Sequence, residues 1–125
     1  MMTRLLIIGF LSGAGAVALG AFGAHALKDK LAPELITTYQ TAVQYQMSHS
    51  LALLLVGALL LRWNDQVLLA YAGWSFTLGI LLFSGSLYLL SLFGWRWLGP
   101  VTPIGGLAFM LGWVLLAAAA LKTSP

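Results

Sequence analysis

A threonine, a tyrosine and a histidine lie one helical turn apart just before a long apolar run. Thr41, Tyr45 and His49 follow one another at intervals of four residues, so in a helix they share a face. A neutral imidazole donates one hydrogen bond and accepts another, and an ionisable side chain at membrane depth is a functional candidate by default. His49 could clamp helices by bonding Tyr45 or a serine, serve a ligand or proton, or contact lipid headgroups. We favour the clamp.

A second polar stripe occurs further along the chain. Thr77, Ser84, Tyr88 and Ser91 are separated by seven, four and three residues, which again places them on one helical face. Polar side chains at membrane depth usually turn toward another helix that can satisfy them. We therefore expect this stripe to face the helix of His49, or to line a cavity with it.

The inventory of reactive residues predicts no enzyme, no metal and no cofactor. There is no cysteine and there are two histidines, whereas a tetrahedral metal site needs four ligands. Ser48 and Ser50 adjoin His49, but neighbouring helical positions point apart, so a serine nucleophile is not activated there. Haem ligation by His25 and His49 has no further support. The apolar runs contain no Asp or Glu, which disfavours an ion-coupled exporter.

The composition identifies an integral membrane protein whose first partner is the lipid bilayer. Of 125 residues, 61% are hydrophobic and 7% are charged, and the mean hydropathy is +0.96. A soluble domain of this length needs far more charge on its surface. The six basic residues flank apolar runs singly. They form no patch that would bind nucleic acid.

Four apolar segments are long enough to cross a bilayer core, which takes about 20 helical residues. They cover approximately 5–24, 47–63, 67–92 and 103–121. We predict a single all-α domain over 1–125, an up-down bundle of four transmembrane helices. Pro33 and Glu34 suit a first helical turn, so the second helix is expected to begin there with an interfacial extension carrying Leu35, Ile36, Tyr39 and Val43. Thr102 is expected to cap the last helix.

The up-down arrangement brings most polar residues of the spans to one membrane face. The candidate polar cluster comprises His25, Tyr45, Gln46, His49, Ser84, Tyr88 and Ser91. The opposite face collects Arg4, Arg62, Asn64, Asp65 and Lys122.

The first span carries a ridge of small residues. Ser12, Ala16, Gly20 and Ala24 recur every fourth position, with Gly9 and Gly13 beside them. Such spacing lets another backbone approach closely, in the same chain or in another. The segment also resembles a signal peptide ending at Ala24-His25-Ala26, but its length favours retention as a span.

The charges divide evenly between the two membrane faces. With the N-terminus inside, Arg4, Arg62 and Lys122 lie inside and Lys28, Lys30 and Arg96 outside. Under the positive-inside rule this is a tie. Arg4 and the terminal amine before the first span favour both termini inside.

Four motifs in order, "GAFGAHALK", "YQMSHSLALLL", "FSGSLYL" and "TPIGG", resemble a family of small inner-membrane proteins. It is the YgdD-like family known as domain of unknown function 423, whose animal relatives are called transmembrane protein 256. The resemblance covers nearly the whole chain and implies a bacterial inner-membrane protein with four helices. It brings no established activity. The family pattern falls on Gly20, Gly23, His25, Tyr45, Gln46, His49, Ser84, Gly85, Ser86, Tyr88, Pro103, Gly105 and Gly106.

Two functions follow from these patterns. The first is a structural or accessory protein in which Gly9, Gly13, Ala16, Gly20, Gly23, Gly105 and Gly106 pack helices, and which assembles with itself or with a membrane partner. The second is a small transporter or channel for a polar or lipid-like solute, with Tyr45, His49 and Tyr88 around its site. A wet cavity at His49 would favour transport, and a filled bundle there would favour the accessory role.

Overall fold

The computed structural model describes residues 1–123, and every regular element in that range is a helix. The α-helices are α1 (Met2–Phe22), α2 (Pro33–Arg62), α3 (Val67–Gly79), α4 (Gly85–Phe93) and α5 (Val101–Thr123). A π-helical segment, Gly23–Leu27, extends α1, and another, Ile80–Ser84, joins α3 to α4. A 3-10 turn, Arg96–Leu98, leads toward α5.

These elements make four rods that are long and apolar enough to cross a membrane. The rods are Met2–Leu27, Pro33–Arg62, Val67–Phe93 and Arg96–Thr123, with mean hydropathies between 1.3 and 2.2 over their most apolar windows. The predicted all-α, four-span fold is confirmed. Each rod is longer than the apolar run that predicted it, because the polar flanks are helical too.

The second rod begins at Pro33, as predicted, and is the longest. Its 30 residues extend about 45 Å, more than the ~30 Å of a hydrocarbon core, so its first turns reach the headgroup zone. Tyr39 is an exception to the prediction for this extension. Its side chain is 1% exposed and packs on Gly23, because the small residues at the end of the first rod leave room for the ring.

The rods form a row in which each one packs mainly on its neighbours. The first lies along α2, α2 lies along the third rod, and the third rod lies along α5. Short loops at Asn64-Asp65 and before α5 make these neighbours antiparallel. The shared core includes Leu5, Leu53, Leu69, Phe76 and Phe109. Within residues 1–123, α2 and α5 have little close backbone approach.

The small-residue ridge of α1 faces α2 of the same chain. Gly9 lies against Leu53 and Leu54, and Gly20 lies against Val43. Ala16 is buried, whereas Ala24 is exposed, so the contact ends before the last predicted position. The ridge thus lets α2 approach α1 closely.

Gly105 brings α5 onto the π segment of the third rod. A Cβ on Gly105 would collide with the backbone of Phe83 and Leu82, which no rotamer change can relieve. Helix α5 begins at Val101, so Thr102 is not its cap. The Thr102 hydroxyl instead lies 2.5 Å from that of Ser86 and joins α5 to α4.

Gly105→Ala should destabilise the protein by about 1–3 kcal/mol, because the new methyl group overpacks against backbone. The neighbouring Gly106→Ala is the matched control. Its Cβ would lie 3.9 Å from the Phe83 ring, so the better helix propensity of alanine should leave stability unchanged or raise it by up to ~1 kcal/mol. Equilibrium unfolding in mixed detergent micelles measures both. Equal stability of the two variants would contradict the close contact at Gly105.

Candidate functional site

Gln46 joins three of the four rods through its side-chain amide. The Tyr88 hydroxyl donates to Gln46 Oε1 at 2.6 Å, and Gln46 Nε2 donates to the Ser12 carbonyl oxygen at 2.9 Å. The Ser50 hydroxyl lies 2.7 Å from that of Ser12 and 2.6 Å from the Gln46 carbonyl oxygen. Because each hydroxyl carries one hydrogen, Ser50 can donate to the carbonyl while Ser12 donates to Ser50. We call Ser12, Gln46, Ser50 and Tyr88 the Gln46 network.

His49, three residues after Gln46 on α2, is directed toward a different rod and joins α2 to α5. Its Nδ1 is 2.8 Å from the Tyr45 carbonyl oxygen, and Trp113 Nε1 donates to its Nε2 at 3.1 Å. The carbonyl can only accept and the indole can only donate, so Nδ1 carries the hydrogen of a neutral imidazole. The side chain is 5% exposed. This geometry suits the predicted clamp, but the side chain that bonds His49 is that of Trp113, whereas the prediction named Tyr45 or a serine.

Aromatic rings enclose the imidazole. The Phe109 ring lies nearly parallel to it with centroids 3.6 Å apart, and Phe76 approaches it at 5.5 Å. Tyr45 is one turn away on the same face of α2, as predicted, and packs on Phe83 with centroids 4.6 Å apart. Tyr45 is 40% exposed. It therefore stands at the edge of this aromatic set and contacts the membrane.

An open groove of about 570 Å³ runs along this edge between α2 and α5. Its volume falls within the ~300–1,000 Å³ typical of small-molecule sites. The walls come from α2, the π segment of the third rod and α5, and are mainly apolar. The lining residues are Tyr45, His49, Phe83, Pro103, Gly106, Leu107, Phe109, Met110 and Trp113.

The remaining members of the predicted cluster have different surroundings. Ser84 donates to the Ala42 carbonyl oxygen at 2.8 Å and so joins the third rod to α2. Ser91 is buried but bonds carbonyls of its own helix, at Leu87 and Tyr88. His25 is exposed in the first π segment. The structure therefore separates the predicted cluster into the Gln46 network, the His49 aromatic set and three residues in neither, His25, Ser84 and Ser91.

Sequence reasoning misses four contributors. Ser12 is predicted only for the packing ridge and Ser50 only as an unactivated nucleophile, although a serine facing another helix can also bond it. Trp113 and Phe109 carry no polar spacing pattern, so nothing in the sequence distinguishes them from other lipid-facing aromatics. Conversely, Thr77 belongs to the predicted stripe but bonds the Gly73 carbonyl oxygen of its own helix.

The chemistry available at these positions is hydrogen bonding and apolar contact. Each buried polar side-chain atom within residues 1–123 has a partner inside the chain. No group of three or more His, Asp, Glu or Cys side chains occurs in that part of the chain. A protonated His49 could no longer accept from Trp113, so the observed pairing favours the uncharged ring.

Tyr88→Phe should lower the free energy of unfolding by about 1 kcal/mol, because it removes the donor to a partly buried amide oxygen. Tyr71→Phe is the control, since Tyr71 is exposed on the apolar surface of α3. That variant should be within about 0.5 kcal/mol of the parent protein. Unfolding in mixed micelles distinguishes the two, and a Tyr88→Phe variant as stable as Tyr71→Phe would show that the bond between Tyr88 and Gln46 contributes nothing to stability.

Comparisons with known proteins agree with this architecture. A family model described as "Protein of unknown function (DUF423)" matches residues 19–106. A UPF0382 membrane protein of Staphylococcus epidermidis is 45% identical over 97% of this chain and 98% of its own. The UPF0382 membrane protein YwdK of Bacillus subtilis is 41% identical with the same coverage.

A third relative comes from Haemophilus influenzae. It is also a UPF0382 membrane protein, 41% identical over 98% of both chains. No solved structure matches the chain. Because the family model covers most of the sequence and the relatives align along nearly all of it, this membrane protein belongs to the DUF423 family.

Proposed function

We propose that this protein is a structural or accessory component of the bacterial inner membrane, acting through contact with other membrane components. The observation that carries the proposal is the complete pairing of the buried polar side chains within the described residues. A polar group held by another rod stabilises the bundle and is not free to bind a solute. Gln46 uses both ends of its amide in this way.

Transport of a polar solute would have a high cost in this bundle. A solute passing between α1, α2 and α4 would have to replace the bonds of Gln46, and each buried polar group left unpaired costs about 1–3 kcal/mol. Carrier proteins commonly meet such a cost with a membrane-embedded carboxylate. Of the three acidic residues here, Asp29 and Asp65 are in loops and Glu34 is in the first turn of α2.

The groove beside His49 favours one alternative. Two of the three residues named for a transport site, Tyr45 and His49, line this groove, whereas Tyr88 bonds Gln46 instead. The groove is open toward the membrane. Because its walls are mainly apolar, it suits a lipid-like solute better than a polar one. The second candidate function is therefore movement of a lipid-like molecule along this groove.

Location in the inner membrane, with both termini inside, completes the proposal. Helical spans suit the inner membrane, whereas outer-membrane proteins are typically barrels. The inside location of the N-terminus is supported by the exposed Arg4 next to the first span.

A partner is proposed on the outer face of α1. That rod packs mainly on α2, and Ala14, Ala18 and Ala21 are exposed on one side of it. Small side chains allow a further helix to approach closely. The occupant is a second copy of the chain or another membrane protein.

Cysteine accessibility tests the accessory function, and the chain offers a background without cysteine. Ser50→Cys introduces a thiol into the Gln46 network. If the bundle is closed, a membrane-impermeant reagent should label this thiol at least about tenfold more slowly than a thiol in a loop, because the reactive thiolate forms only where water is present. Asn64→Cys and Asp29→Cys, both exposed in loops, are the controls. Rapid labelling of Ser50→Cys would show a wet path and would favour transport.

The same variants test the orientation. With both termini inside, Asp29→Cys should react in intact cells and Asn64→Cys only after permeabilisation. The reverse order would place the termini outside, and labelling of both in intact cells would indicate dual orientation.

Disulfide cross-linking in membranes tests self-assembly through α1. Ala18→Cys should give a covalent dimer on oxidation, because two copies packed on this face bring the residue near its counterpart, within the ~7 Å between Cα atoms that a disulfide requires. Leu111→Cys, exposed on α5 at the other end of the row of rods, should cross-link much less. Absence of dimer from both variants would rule out self-assembly on this face.

A further inference from the structure

The groove between α2 and α5 exists because these two rods do not pack closely. His49, Phe109 and Trp113 bridge them by side chains alone. Gly106 adds to the space, since a Cβ there would meet only the Phe83 ring, at 3.9 Å. The opening faces the bilayer, so whatever covers it comes from the bilayer.

The walls select an apolar occupant. Leu107 and Met110 are among the most exposed large side chains of α5, at 61% and 58%. The imidazole of His49 has both ring nitrogens engaged by Tyr45 and Trp113 and offers an incoming group no free hydrogen-bonding position. A hydrocarbon chain therefore fits the walls better than a polar solute.

The length of the groove matches one leaflet. Pro103 lines one end of it and Trp113 the other. Ten residues of α-helix rise about 15 Å, which is half of the ~30 Å hydrocarbon core. An acyl chain that enters at the membrane surface beside Pro103 would end near Trp113, at the bilayer centre.

The surface end of the groove favours a negative headgroup. Pro103 is in the first turn of α5, where the helix dipole is positive. Arg96 is exposed in the loop that leads into this turn, between the exposed indoles of Trp95 and Trp97. Arginine attracts lipid phosphate, and tryptophan is typical of the headgroup level.

We propose that this groove is a lipid site that binds an acyl chain of an anionic phospholipid along α5, with its headgroup at Arg96. The site goes beyond the accessory function. It requires only the open side of the bundle, not the Gln46 network or a partner on α1. Failure of the cysteine-accessibility test would leave it intact, and failure of the lipid test would leave the accessory function intact.

Native mass spectrometry of the full chain released from nanodiscs tests the site. The probes are palmitoyl-oleoyl phosphatidylglycerol and phosphatidylcholine, which share chains and differ in headgroup charge. The parent protein should retain one phosphatidylglycerol. Gly106→Leu should retain it at least about tenfold less, because the new side chain takes the place of several methylene groups. Ala117→Leu, on an exposed position of α5 outside the groove, should retain as much as the parent.

Two further variants complete the test. Met110→Trp narrows the groove from its exposed side without altering the core, so it should also lose the lipid. This variant replaces Gly106→Leu in the test if Gly106→Leu fails to fold. Arg96→Gln should reduce the preference for phosphatidylglycerol over phosphatidylcholine about fivefold. Lys122→Gln, near the end of α5 at the opposite membrane face, should leave the preference unchanged.

Three outcomes would overturn the proposal. The first is equal lipid retention by Gly106→Leu, Met110→Trp and Ala117→Leu. The second is a two-chain mass in the parent protein that disappears in the groove variants, which would show that a second copy covers the groove. The third is equal retention of phosphatidylglycerol and phosphatidylcholine by the parent protein.

Discussion

The requirement that buried polar groups find partners without water governs this bundle. In lipid, no water is present to hydrogen-bond an unpaired amide or hydroxyl. Each such group must therefore find a partner within the protein, and a partner on another rod restricts which rods can be neighbours. Gln46 shows the effect most clearly, because its two amide atoms bond Tyr88 and Ser12 and so hold α4 and α1 against α2. The exchange of either rod for another would leave one end of the amide unsatisfied. The polar residues thus help to specify the order of the row, while apolar packing supplies most of the contact area.

The two π-helical segments lie where such cross-links are made. Gly23, the first residue of one segment, packs on the ring of Tyr39, whose hydroxyl donates to the Leu19 carbonyl oxygen in the last turns of α1. Ser84, the last residue of the other segment, donates to the Ala42 carbonyl oxygen of α2. That second segment also receives Gly105 of α5 against its backbone. A π turn shifts the helical face by one position, so residues on either side of it can satisfy partners that a straight helix would miss.

Much of this arrangement could be predicted from residue type and spacing. Apolar run lengths predict four spans, Pro33 predicts the start of α2, and the stripe containing Ser84 and Tyr88 predicts a third rod that faces α2. The sequence does not predict the split of the polar cluster, because period alone cannot show that Gln46 and His49, three residues apart, turn toward different rods. It also does not predict Trp113 as the partner of His49, since lipid-facing and bundle-facing tryptophans look alike in an apolar helix. The π segments shift the helical register locally, and no residue pattern in "GAHAL" or "ILLFS" predicts a π-helix.

The residues that α2 presents to α1 differ from those it presents to α5, and this explains why the two interfaces are unequally filled. Toward α1, small residues such as Gly9 and Gly20 let backbones approach, and the cavity that remains, beside Gly23 and Tyr39, is only about 180 Å³. Toward α5, the spacing is set by the stacked rings of His49 and Phe109, 3.6 Å apart, and by the Trp113 bond. Large planar side chains fill the depth of that gap but not its rim, where Gly106 has no side chain. The same interaction that satisfies His49 therefore keeps α2 and α5 apart and leaves the groove open at its rim.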